Sequence, residues 1–159
     1  MKRLPSLVAT LLVLGLFSTP ALRADDAAVA AKLAKIPPAA SEALKKAAGS
    51  GKIDKVSLEK DGKVTVYEIA VSEAGQPPRE ISVTSDGQLN AQEETVPLDK
   101  VPDAARKAIE DGAKGAKIDR VNKIQRAAGG VSYEARYINK GKTTEVEYLE
   151  DGKLRPEAK

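Results

Sequence analysis

The sequence predicts an α+β fold of two tandem repeats, each a helix packed on an antiparallel sheet of three to four strands. Three observations predict it. The stretch IPPAASEALKKAAGSGKIDKV, from Ile36 to Val56, returns as VPDAARKAIEDGAKGAKIDRV, from Val101 to Val121, at an offset of 65 residues without a gap. Behind each copy, apolar and polar residues alternate at the period of a strand and are punctuated by Asp-Gly and Lys-Gly turns. Tyr67-Glu68 and the D-G-x-L of Asp86–Leu89 then return as Tyr133-Glu134 and the D-G-x-L of Asp151–Leu154. The offset is 66 at Tyr133 and 65 again at Glu145, so the indels fall at turns. A one-residue slip inside a strand would turn its faces over, so one fold written twice must keep its strands in register.

Residues 1–24 stand apart as a secretory signal peptide. Lys2 and Arg3 start it, an apolar run extends from Leu7 to Phe17, and small residues precede Asp25-Asp26. That is the layout of a cleaved leader, and the run is short of the roughly 20 residues that span a bilayer. Cleavage is expected after Ala24, with Ala21 as the alternative because Leu22 is unusual three residues before the cut. No stable membrane insertion is expected once it is removed. The chain has 26 basic and 23 acidic residues, and the leader's Lys2, Arg3 and Arg23 account for the whole excess. The basic balance is therefore no sign of nucleic-acid binding. With no Cys, the exported chain must hold itself together by burial alone. Each repeat is marginal in size, so the two are expected to pack together, with one larger curved sheet joining both as one arrangement.

Taken in order, Asp25–Lys35 reads as a short helix with Asp25 or Asp26 as cap and Val29, Leu33 and Ile36 on one face. Pro37-Pro38 ends it. Residues 25–92 form the N-terminal helix and first repeat. Its helix is Pro38–Ala48, with Ala40, Ala43, Leu44 and Ala47 as an apolar stripe and Gly49-Ser50-Gly51 as the stop. Strands are expected at Lys52–Lys60, Lys63–Ser72 and Arg79–Ser85, with a short fourth at Gln88–Gln92. Asp61-Gly62 and Asp86-Gly87 supply the turns. Residues 93–159 hold a connector, Glu93–Lys100, and the second repeat. Its helix is Pro102–Gly112, capped by Asp99 or Asp103, with Ala105, Ala108 and Ile109 facing inward. Strands follow at Lys117–Arg126, Val131–Asn139 and Thr143–Leu149, and the tail after Leu154 frays.

A helix opening I/V-P, a K-I-D-x-V strand, a Y-E strand and a closing D-G-x-L resemble the PepSY-like domain. Their tandem arrangement is similar to the PepSY-like family related to beta-lactamase inhibitory protein, over Ile36–Leu89 and Val101–Leu154. The resemblance implies a helix on an antiparallel sheet in each copy, an exported location, and binding or inhibition without catalysis. Beta-lactamase inhibition belongs to a narrow branch that uses disulfides and aromatic contacts. This chain has no Cys or Trp, so that activity is not carried over.

The residue inventory points the same way. Without His or Cys, the usual general base, thiol nucleophile and zinc ligands are missing. No phosphate-binding loop, dinucleotide fingerprint or nucleophile elbow is present. Glu145 and Glu147 share a strand face, beside Glu134 or Arg136, and read as a solvated face rather than a glycosidase pair. Asp61, Asp86 and Asp151 read as turn formers rather than calcium ligands. Tyr67, Tyr133, Tyr137 and Tyr148 read as core. No catalytic, metal or cofactor site is expected.

One surface does not look bland. Val64, Val66 and Ala70 lie on the strand face opposite Tyr67, where a helix-backed sheet is usually polar. They suggest a face covered by the other repeat or by a partner. With the polar residues Glu68, Ser82, Thr84, Glu134, Arg136, Glu145 and Glu147, they make the candidate partner-binding surface. Charge reversal at Arg136 and Glu147 is expected to weaken binding. The sequence thus reads as an exported, non-enzymatic module, periplasmic or secreted, that holds or inhibits a protein or peptide partner through its sheet face. The alternative is a structural envelope protein without a discrete ligand.

Overall fold

A computed structural model describes residues 24–61 and 63–156. The signal peptide expected at residues 1–24 lies outside them except for Ala24, as do Gly62 of the first hairpin and residues 157–159 of the tail. The elements run α1 (Ala24–Leu33), α2 (Pro38–Ala48), β1 (Lys52–Asp61), β2 (Val64–Ser72), β3 (Arg79–Thr84), β4 (Leu89–Thr95), α3 (Asp103–Ala113), β5 (Lys117–Arg126), β6 (Val131–Asn139) and β7 (Lys142–Leu149). A single 3₁₀ turn, Leu98–Lys100, precedes α3.

The expected caps are not formed. Helix α1 begins at Ala24, which puts Asp25 and Asp26 in its first turn, where they act on the helix dipole. Pro37 and Pro102 occupy the N-cap positions of α2 and α3, with no side-chain cap hydrogen bond. Asp103 falls in the first turn of α3 and pairs with Arg106 at 2.6 Å. Asp99 belongs to the separate 3₁₀ turn.

All seven strands form one antiparallel sheet in the order β1-β2-β3-β4-β5-β6-β7. The repeats meet edge to edge: β4 pairs with β5 from Ala91↔Arg126 to Thr95↔Asn122. The segment expected as a connector therefore gives Glu93–Thr95 to a strand. Unpaired backbone groups at the edge of β5 find partners there, which a loop would have left to water.

The K-I-D-x-V motif has a structural explanation. Register shifts lie between Ile53 and Lys55 in β1 and between Ile118 and Arg120 in β5. Asp54 and Asp119 are thus the extra residues of two equivalent β-bulges. Strict alternation would put Ile53 and Val56 on opposite faces. The bulge lets both face the helix, as it does Ile118 and Val121.

The D-G-x-L motif is also a packing device. Gly87 and Gly152 have φ of +83° and +82°, and an added Cβ would stand 2.7 Å from the Ala39 carbonyl oxygen and 2.6 Å from that of Ala104. Each turn tucks under the first turns of its own repeat's helix, where only glycine fits.

Both helices lie on one face of the sheet, because the register carries Ile81 through Gln92 and Gln125 to Val131 on the same side. Two separate cores result. Leu44 of α2 packs with Val56, Ile69, Val71, Ile81 and Val83, and α1 adds Leu33. Ile109 of α3 packs with Val121, Tyr133, Ala135, Tyr137 and Tyr148. Tyr67 joins the rim of the first core, so all four tyrosines are core residues. The Tyr137 hydroxyl donates to the Ile109 carbonyl at 2.9 Å and lies 3.2 Å from the Tyr148 hydroxyl. In the first repeat Arg79 serves the helix end instead, donating to the carbonyls of Ala47 and Ala48 at 3.3 and 2.9 Å. Of the two alternatives for the outer face, cover by the other repeat or by a partner, the first is not formed, and the joining of both repeats into one larger sheet is. Strand pairing places the repeats side by side, and among the described residues no helix or strand covers the face opposite α2 and α3.

Candidate binding face

Strand parity builds this face. On β2 it takes Val64, Val66, Glu68 and Ala70, and the register brings Thr84, Ser82 and Glu80 of β3 beside the last three of these. Ala91 and Glu93 of β4 follow, then Arg126, Ile124, Asn122 and Arg120 of β5. Ser132, Glu134 and Arg136 of β6 stand against them, with Glu147 opposite Glu134 and Glu145 opposite Arg136 on β7. All nine residues predicted from the sequence therefore lie on one face.

They do not play one part. Val64 is 47 % exposed at the β1–β2 hairpin end, whereas Val66 is 3 % exposed and, with Ala91 and Ile124, forms an apolar floor outside the two cores. Ser82, Asn122 and Ser132 are buried beside it. Long charged side chains of the same face shield this floor, among them Glu59, Arg126, Glu147 and Arg155 around a depression of about 200 Å³. Thr84 is engaged in its turn, its hydroxyl donating to the Asp86 carboxylate.

Glu147 anchors one end of the face. Arg126 reaches both of its carboxylate oxygens, at 2.7 and 3.3 Å, and Arg155 donates to it at 3.1 Å. The Ser132 hydroxyl also donates to it. Burial pushes the carboxyl upward, but these hydrogen bonds outweigh it, so the group titrates below the ordinary glutamate range.

The other end is a cleft of about 310 Å³ with charged walls. Its lining includes Glu68, Glu80, Glu93, Glu134 and Glu145, with Arg120 and Arg136. Glu80 and Glu93 are directly opposed in the β3–β4 register, a like-charge arrangement that costs stability. Burial raises Glu93 to about 8, aided by Glu134, Glu68 and Glu80. Burial raises Glu68 to about 7, with Glu80 and Glu59 adding to it. Glu134 rises to about 7 by burial and the charges of Glu145 and Glu147. Arg136 lies 3.7 Å from Glu145. Among the described residues no cluster of side chains has metal-binding geometry.

Sequence reasoning missed Glu80, Glu93, Arg120, Arg126 and Arg155. Glu80 was accessible by parity from Ser82. Glu93 was hidden because β4 runs three residues past its expected end. Arg120 was hidden because the bulge at Asp119 breaks the alternation that would place it.

No protein-family model matches the chain. No curated protein matches it either. Solved structures do. A candidate periplasmic protein of Bacteroides eggerthii aligns at a TM-score of 0.56 and 15 % identity, over 75 % of this chain and 85 % of that one. A DUF2874 family protein of Bacteroides ovatus aligns at 0.53 and 16 %, over 75 % and 84 %. A BLIP-like protein of Bacteroides fragilis aligns at 0.49 and 18 %, over 77 % and 84 %. The chain thus shares its fold, at low sequence identity, with proteins of the DUF2874 family.

Proposed function

We propose that this protein is an exported, non-catalytic binding module, periplasmic or secreted, that lays a protein or peptide partner against the open face of its sheet. One observation carries the reading. Seven strands present a continuous face with no covering helix or strand among the described residues, and beneath its charged side chains lie Val66, Ala91 and Ile124, apolar and buried. A helix-backed sheet needs only one apolar face for its own stability. The periplasmic description of one structural neighbour and the leader-like residues 1–24 support the location.

Site-specific photocrosslinking in the native envelope tests it. A crosslinker at Val64, exposed on the same face, should capture one saturable partner, and one at Lys46, exposed on the outer side of α2, should not. A substitution Arg136→Glu should change the affinity of capture, because it reverses one wall of the charged cleft. Arg136 is the cleaner of the two predicted reversals, since reversal at Glu147 would also break its contacts with Arg126 and Arg155. No capture at Val64, or equal capture at Lys46, would favour a structural envelope protein without a discrete ligand.

A further inference from the structure

The open face has unequal ends, and the inequality says what kind of partner fits. Around Glu147 the chain supplies its own cations, Arg126 and Arg155. Around the cleft its cations, Lys55, Arg120 and Arg136, are outnumbered by carboxylates. Among the described residues, Glu68, Glu93 and Glu134 form no ion pair, and their hydrogen-bond contacts are with neutral groups, Ser57 to Glu68 at 3.4 Å and Asn122 to Glu93 at 3.5 Å. The charged groups facing the cleft come from every strand: Lys55 and Glu59 of β1, Glu68 of β2, Glu80 of β3 and Glu93 of β4, then Arg120 of β5, Glu134 and Arg136 of β6, and Glu145 of β7. Carboxylates outnumber cations there two to one. The opposed Glu80–Glu93 pair destabilises the free protein, and it would be relieved by a cation placed between the two strands.

We infer that the partner segment seated on this face is basic, presenting lysine or arginine side chains to the cleft formed by Glu68, Glu80, Glu93 and Glu134. This rests on the binding reading above and names the chemistry of the partner. Charge complementarity selects it over an acidic or purely apolar segment. The rest of the segment lies over the side chains that shield the apolar floor, and alternate side chains of an extended peptide point toward the sheet at its own spacing. A bound cation also draws the raised glutamates to their ionised form, so binding releases protons near neutral pH and weakens as the medium turns acidic.

The probe is an extended peptide of about eight residues alternating Lys and Thr, with a Glu-Thr peptide of equal length as control. Titration calorimetry against the full mature chain, in buffers of different ionisation enthalpy near pH 7, should show saturable binding with proton release. The triple variant Glu68→Gln, Glu93→Gln, Glu134→Gln should lose about tenfold or more in affinity. These substitutions remove repulsion, so the variant should fold at least as well as the parent. A control variant, Glu42→Gln, Asp99→Asn, Glu110→Gln, removes three exposed carboxylates elsewhere and should bind within about twofold of the parent. Equal binding of both peptides, equal losses in the two triple variants, or binding without proton release overturns the proposal. Crosslinking at Val64 separates the two readings. If the native partner is captured there undiminished by the glutamate substitutions, the binding face stands and its basic partner falls. If nothing is captured at Val64, the binding reading itself fails.

Discussion

Single residues set the pH response of this fold. Burial and neighbouring carboxylates hold Glu93 at about 8 and Glu68 and Glu134 at about 7 in the native chain, against 4.5 for a free glutamate. The folded state keeps protons that the unfolded chain gives up. The stability contribution is therefore intact below the free glutamate pKa and is lost as pH rises through the folded values. Thermal unfolding should show a higher midpoint near pH 5 than near pH 8.5, and Glu93→Gln should raise the midpoint on the alkaline side and flatten the profile. A profile that rises with pH would contradict the buried glutamate cluster. Gly112 is a second sensitive residue. A Cβ there would run into the Tyr148 hydroxyl and stand 3.0 Å from that of Tyr137. Alanine gains about 1 kcal/mol of helix propensity, but overpacking against two buried phenols costs about 1–3 kcal/mol. The clash wins because Tyr137 is held by Ile109. Denaturant titration should find Gly112→Ala destabilised, with partial recovery in the double variant that adds Tyr148→Phe.

At the scale of elements, the bulges are what the repeated motif is for. Deleting Asp119 would restore strict alternation and turn Ile118 away from the second core, at a cost of about 1–3 kcal/mol for its lost burial. Asp119→Ala keeps the extra residue and should cost less than about 1 kcal/mol, as an ordinary surface change does. If both variants unfold at the same denaturant concentration, the bulge does not set the strand's faces. Reading these elements from sequence succeeded where one local cause acts. Proline starts and glycine stops gave α2 its bounds, and period-two alternation gave β6 its inward Tyr133, Ala135 and Tyr137. It fell short where a distant chain segment decides, as with the end of β4, which runs to Thr95 because β5 is there to pair with it.

The described residues of the whole molecule form two cores and one sheet, and the sheet should make it unfold as a unit. Each core draws on one small repeat, while the β4–β5 pairing is continuous from Ala91 to Thr95 and from Asn122 to Arg126. Three of the four tyrosines lie in the second core, so tyrosine fluorescence reports mainly on that half. Far-ultraviolet circular dichroism reports on both. The two unfolding curves should coincide, as two-state behaviour requires. A tyrosine transition displaced from the dichroism transition would show that the halves melt separately.

The sequence by itself determined the repeat, the elements within it and which strand residues share a face, because each follows from local chemistry and from a period counted along the chain. It placed Val64, Val66, Glu68, Ser82, Thr84, Glu134, Arg136, Glu145 and Glu147 on one surface for that reason. Only the tertiary structure decided that the halves join edge to edge, that Glu93 therefore enters the cleft, and that Arg126 and Arg155 close on Glu147 while Glu68, Glu93 and Glu134 form no ion pair among the described residues. These relations join residues far apart in the chain, through strand pairing and through distance-dependent electrostatics in a partly desolvated site, and no spacing along the sequence encodes them.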